Sequence, residues 1–269
     1  MEGVYAGRGH HNKKVSTGSD DKAQAKLREA LVLKGQYKRA LANLDKCLEK
    51  RPDQSLYRER AHLHLYVGEA GLERRDFDTT AALSSEQSHT PSGKLHSDSE
   101  HNGIGVTYWI EGRRELATAF WRYTTNSLSA NRVAYSHMGG GIEAGLLLWF
   151  GAVHTKKQED IELVRRFYKK REMSTFWSHS LSAWPGPIVR YFLKQIDESR
   201  LLEIAAGKHQ ARCQAHFAAA IRSREVGRHA TYKKYLRLAA KGIGPTDVYD
   251  FYNVFPFFLA RFEVLPAVT

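Results

Sequence analysis

The sequence predicts an all-α chain of consecutive helical hairpins, and three observations carry that expectation. Apolar residues recur at intervals of three and four through most of its length, the spacing that lines one face of a helix. Gly35, Gly68, Gly112 and Gly227 interrupt the pattern where one helix has to hand over to the next. Ala40, and Gly105 with Ala117, put small side chains where helix backbones would approach closely.

Taken in order, residues 1–20 mix glycine, serine, histidine and lysine without periodicity. They bury too little apolar surface to offset their ordering entropy, so they predict a disordered basic arm, with 21–269 as a single helical domain. Asp20 and Asp21 supply N-cap chemistry ahead of Ala23, Ala25, Leu27, Ala30, Leu31 and Leu33, with Leu27 and Leu31 expected in the core. The partner helix starts at Tyr37, aligns Ala40, Leu41, Leu44, Cys47 and Leu48, and stops at Pro52. A looser second pair runs from Leu56 through Tyr66, turns at Gly68 and continues with Leu72, Phe77 and Ala81. Residues 84–100, with Pro91 and Gly93 among polar neighbours, predict a long loop.

The pattern resumes with Ile104, Gly105, Tyr108 and Trp109, a turn at Gly112, and Ala117, Phe120 and Trp121, with Gly105 facing Ala117. An apolar helix is expected over 133–154 and an amphipathic one from Glu159 to Lys170, with Ile161, Val164, Phe167 and Tyr168 inward. Phe176, Trp177 and then Trp184-Pro185-Gly186-Pro187 mark a turn into a helix, Pro187 suiting its first turn. A short helix over Ser199 to Ala206 leads to a final pair, Cys213 to Ile221 and Tyr232 to Ala240, around Gly227. The aromatic segment from Tyr249 to Phe262 is too apolar to face water; it predicts a capping helix over the end of the core, and it also suits a homodimer surface.

Gly35, Tyr37, Ala40, Leu44, Cys47 and Pro52 resemble the second half of a tetratricopeptide repeat (TPR), whose 34-residue helix-turn-helix wants those residue types at those places. The later half resembles bacterial adaptor proteins of that family, in which Trp-Pro-Gly-Pro opens a helix. Lipid-anchored members carry an N-terminal cysteine, which has no counterpart in Cys47 or Cys213, so their envelope role is not carried over. The resemblance implies a right-handed superhelical solenoid whose concave face binds an extended protein segment. The family's groove-facing positions fall on Arg58, His62, Asn102, Trp109, Phe217 and Arg224. Trp109 and Phe217 serve equally well as core residues. Ala25 and Glu29 stand where a clamp for a C-terminal carboxylate would begin, which argues against chaperone-tail binding.

Formal charge is +12 and the pI about 9.6, which points to an acidic counterpart. The cations concentrate late in the chain: Arg222, Arg228, Lys233, Lys234 and Arg237 form the densest patch, with Tyr232 and Tyr235 between them and Arg165 to Arg171 adding more. An acidic protein ranks first as partner. Nucleic acid ranks second, because phosphate contacts need little beyond lysine and arginine but no nucleic-acid motif accompanies them.

Signals for chemistry are weak by comparison. Met138-Gly139-Gly140-Gly141-Ile142 follows no strand and lacks the lysine and hydroxyl of a phosphate loop, so it reads as close packing or a kink. His62 and His64 are two apart, which puts them on different helix faces, and no zinc spacing is found, so no metal or cofactor is expected. No nucleophile elbow or dinucleotide fingerprint is present, and no catalytic residue is assigned. The longest apolar run, Gly145 to Val153, is too short to cross a bilayer, and the N-terminal stretch has no signal-like apolar core. The expectation is a cytoplasmic, non-catalytic protein-binding scaffold without membrane contact, one form of which is an immunity protein occluding a secreted bacterial toxin. A nucleic-acid-binding TPR protein and an enzyme with a site in the groove are the alternatives.

Overall fold

The computed structural model describes residues 18–67, Glu69, Leu72, Arg75, Asp76, Thr79, and 98–130, 141–173, 183–241 and 255–264. These residues form helices and no strand. In chain order the helices are α1 (Gly18–Leu33), α2 (Tyr37–Lys50), α3 (Gln54–Val67), α4 (Asp98–Ile110), α5 (Arg114–Ser129) and α6 (Ile142–Thr155). They continue as α7 (Gln158–Met173), α8 (Gly186–Phe192), α9 (Glu198–Ala205), α10 (His209–Glu225), α11 (His229–Ala239) and α12 (Phe255–Val264).

Sequence neighbours pack on one another: α1 on α2, α4 on α5, α5 on α6, α6 on α7, and α10 on α11. Alternate helices also touch, α4 with α6 and α5 with α7. Gly35, Gly112 and Gly227 make the expected turns, with φ of 69°, 77° and 75°, a left-handed conformation open to glycine at little steric cost. Arg51 ends α2 in an extended conformation, φ −151° and ψ 107°, as the residue before Pro52 must.

Among the described residues two apolar cores result. The smaller holds Leu31, Val32, Ala40, Leu41, Leu44 and Leu63 and joins α1, α2 and α3. Its polar tie is a buried fork: Arg28 Nε donates to Glu59 Oε1 at 2.7 Å and Nη2 to Oε2 at 2.9 Å. The larger runs from Ala61 to Ala260 and includes Trp109, Trp121, Trp149, Phe150, Tyr168, Phe192 and Phe217. Arg122 pairs with the buried Asp160 to lock α5 on α7.

Several expectations shift. α1 is already helical at Gly18, so Asp20 and Asp21 lie within its first turn and the last three residues of the expected arm are helix; 1–17 lie outside the described residues. Leu27 is 46% exposed, and Val32 takes its expected place in the core because the buried stripe of α1 also carries Arg28. Cys47 is only half-buried, since the Arg28 side chain reaches Asn43 and Cys47 on that side of α2. Leu72 is 43% exposed. The polar stretch loses its end to α4, which begins at Asp98; 84–97, like Gly68, Phe77, Ala81, Phe176 and Trp177, fall outside the described residues. The helix expected over 133–154 is described only from Ile142, with Gly141 at its N-cap and a φ of 78°. Gly105 faces the Trp121 indole rather than Ala117: a Cβ there would lie 2.1 Å from Trp121 Nε1. That indole donates to the Asn102 carbonyl at 3.3 Å.

Candidate functional site

The largest departure concerns α12. Phe255, Pro256, Phe257, Phe258, Leu259 and Ala260 are all buried, so the helix enters the protein between other helices instead of lying over one end of the core. It packs on α4, α10 and α11. Phe255 and Phe258 also meet the His62 ring of α3, at centroid separations of 5.6 and 6.4 Å. With its aromatic faces turned inward, the segment offers Phe262, 37% exposed, as its exposed aromatic side chain among the described residues. Of the rings expected at a homodimer surface, Phe255, Phe257 and Phe258 are inside the chain's own core, and Tyr249, Phe251 and Tyr252 lie outside the described residues.

A polar cluster fixes the other end of α12. Trp109 Nε1 donates to Glu263 Oε1 at 2.9 Å, and Arg114 Nη2 lies 3.5 Å from the same oxygen. Arg114 also stacks over the Trp109 ring, 5.1 Å from its centroid. Tyr232 joins them: His154 Nε2 lies 2.9 Å from its hydroxyl, and the Arg224 guanidinium sits 5.0 Å from its ring centroid. Burial, and then the neighbouring Glu263 carboxylate, push the Tyr232 phenol up.

The surrounding cations shape the electrostatics. Burial, with Arg224 and Arg114 acting in the same sense, pushes His154 down to about 3, so the imidazole is neutral at pH 7. Burial and the Arg58 charge do the same to His62, also to about 3. Glu263 is thus the acidic group bonded by Trp109 and Arg114, on a surface to which α4, α5, α6, α10 and α11 each bring an aromatic or basic side chain. The arrangement holds the Glu263 carboxylate that α12 supplies from within the chain.

Four of the six groove positions are buried. Trp109 and Phe217 have no exposed surface and are core residues; Phe217 packs on Phe150 at 5.0 Å. His62 is fully buried against α12. Asn102, 1% exposed, lies beside Glu143. Burial and then the Asp98 charge hold the Glu143 carboxyl well above its usual range, with a hydrogen bond from Asn102 opposing them. Arg58 and Arg224 are half-buried. None of the four buried positions presents a free concave surface, because α12 and the large core take the space. Trp109, His62, Arg224 and the unforeseen Arg114 and His154 nevertheless converge around α12. Glu263 was missed because its signal is slight: it is the sole acidic residue after Asp250, in an otherwise aromatic segment.

The basic patch divides in two. Arg222 bonds Glu225 at 2.5 Å and Arg228 lies 3.9 Å from Glu198, beside a cavity of about 480 Å³ whose lining also includes Lys194 and Asp197, so charge there is compensated. Lys233, Lys234 and Arg237 are exposed on the outer side of α11, which buries Tyr232, Tyr235, Leu236 and Ala239 on its inner side. Among the described residues no group of three histidine, cysteine, aspartate or glutamate side chains is placed to hold a metal ion, and no helix is long and apolar enough to cross a membrane. The glycine run Gly139–Gly140 lies outside the described residues; Gly141 packs on Leu128, which a Cβ would meet at 2.6 Å. The chain matches no family model and no curated protein.

Proposed function

We propose that this protein is a non-catalytic scaffold, a right-handed superhelical solenoid of TPR-like hairpins, that binds an acidic protein. The sequential pairing of helices, the contacts between alternate helices and the left-handed glycine turns support the repeat reading. The observation that carries the function is the outer face of α11. Lys233, Lys234 and Arg237 stand on it with Leu238, 37% exposed, and Val226, 58% exposed, lies in the turn before. Lys233 and Arg237 make no ion pair among the described residues. Cations that repel one another beside exposed apolar side chains fit a counter-surface that is itself acidic and partly apolar.

A titration of the full chain with a short polyglutamate peptide and with a mixed-sequence DNA duplex, each over a range of salt, tests the reading. The acidic peptide is expected to lose affinity when Lys233→Glu and Arg237→Glu are combined. Tighter binding of the duplex, with the steep salt dependence of counterion release, would instead favour the nucleic-acid reading. If the double variant binds the peptide as well as the wild type does, the outer face of α11 is not the docking surface.

A further inference from the structure

We propose that the cavity of about 480 Å³ bounded by α8, α9, α10 and the turn before α11 is a binding site for a small organic carboxylate with an apolar body, held by Lys194, Arg228 and the Tyr191 hydroxyl. The inference goes beyond the acidic-protein reading, which rests on the outer face of α11.

The fold makes the cavity at a junction of short elements. α8, α9 and α10 pack on one another, and the ends of α8 and α10 face the start of α9 across a common space. A space of that volume is in the range that encloses a small molecule. The Tyr191 ring, Ile196 and Val226 give it an apolar wall, and Val226 is 58% exposed. A ligand with a ring or branched chain covers that surface.

Charge selects the rest of the ligand. Arg222 is answered by Glu225 at 2.5 Å, and Arg228 lies 3.9 Å from Glu198, which also accepts from the Tyr235 hydroxyl. Asp197 caps α9 by accepting from the Arg200 backbone N–H at 2.8 Å. Lys194 makes no ion pair among the described residues. One unanswered cation suits a monoanion, whereas a dianion would meet the Asp197 and Glu198 carboxylates on the same lining.

Two features point to a ligand rather than to a solvated surface. Tyr191 is only 7% exposed, and its hydroxyl bonds no side chain among the described residues although Glu198, Arg222 and Arg228 all act on it. Burial, and then Glu198, push that phenol up, so it remains a hydrogen-bond donor at neutral pH. Lys194, in turn, adopts a left-handed φ of 62°, which costs a lysine more than a glycine. Its N–H donates to the Tyr191 carbonyl at 3.0 Å and that of Gln195 to the Arg190 carbonyl at 2.8 Å, a helix ending that glycine makes with less strain. The turn therefore does not need the lysine, and what the lysine adds is an ammonium group at the cavity.

The test titrates the full chain with naphthoate, naphthyl phosphate and naphthol, which share a ring system and differ in charge. Naphthoate is expected to saturate a single site, with naphthyl phosphate weaker and naphthol weakest. Lys194→Gly is expected to weaken naphthoate binding about tenfold, the loss of one charge-assisted contact, while raising the urea midpoint. Lys194→Gln keeps the strain and removes the charge, so it is expected to show the same loss of affinity without the gain in midpoint. Tyr191→Phe is expected to weaken binding roughly fivefold. Absence of saturable naphthoate binding, naphthyl phosphate or naphthol binding as tightly as naphthoate, or wild-type affinity in both Lys194 variants would overturn the proposal. Lys233→Glu with Arg237→Glu is expected to leave naphthoate binding unaltered; a loss as large as that of Lys194→Gly would mean that overall charge, and not this cavity, attracts the anion.

Discussion

Trp109 and Glu263, 154 positions apart in the chain, are joined by an indole N–H donated to a carboxylate at 2.9 Å. The bond ties the last helix to the middle of the protein, and both side chains are largely shielded from water. Charge-assisted hydrogen bonds contribute about 1.5–3 kcal/mol. A double-mutant cycle with Trp109→Phe and Glu263→Gln is expected to give a coupling energy of at least about 1 kcal/mol. Additive effects of the two substitutions would mean that the contact contributes nothing to stability.

Gly105 sets how closely α4 approaches α5. An alanine methyl would fall 2.1 Å from the Trp121 indole nitrogen, whose ring is buried and bonded to the Asn102 carbonyl. Overpacking of this kind costs about 1–3 kcal/mol. Gly105→Ala should lower the unfolding free energy by that amount in a denaturant series. Gly207→Ala, where a Cβ meets nothing within 4 Å, should have a much smaller effect.

His62 and His154 make stability fall with acid. Both are held at about 3, below the ordinary 6.5, so the folded protein keeps them neutral while the unfolded chain protonates below 6.5. Their contribution is complete above pH 6.5 and is lost progressively as the pH falls toward 3, at up to about 1.4 kcal/mol per pH unit for each. Urea midpoints measured from pH 7 to 4 should fall less steeply for His62→Phe than for the wild type. Parallel slopes would show that His62 is not the group being titrated.

Arg28 and Glu59 form the buried fork between α1 and α3, with side chains 5% and 11% exposed. Removing one partner leaves the other charge buried without its counterpart, a loss of about 3–5 kcal/mol. Glu59→Gln should therefore destabilise far more than the paired replacement Arg28→Met with Glu59→Leu. Equal losses in a denaturant series would contradict a buried, mutually dependent pair.

Much of the helical framework was legible because its signals are local. Gly35, Gly112 and Gly227 mark turns through a conformation that strongly favours glycine, and Pro52 and Pro187 delimit helices by what their rings forbid. Burial of Ala40, Leu44, Val164 and Phe167 follows from spacing along one helix. The destination of α12 was not legible. Its aromatic residues state that it must be buried but not against what, and nothing near Glu263 in sequence indicates Trp109 or Arg114. The burial of Trp109 and Phe217 was open for the same reason: repeat geometry says which way they point, whereas their accessibility depends on a segment far along the chain. The basic patch was legible as composition, but its division into compensated Arg222 and Arg228 and exposed Lys233 and Arg237 depends on where Glu225 and Glu198 lie in space.

The central claim is that the chain's own C-terminal helix occupies the surface where α4, α10 and α11 meet. Hydrogen exchange of the full-length wild type, resolved by residue, tests it most directly. Amides of 255–264 are expected to exchange as slowly as those of the core helix 209–225, with both released together by denaturant. Exchange in 255–264 at the rate of a free peptide, while 209–225 remains protected, would contradict the account.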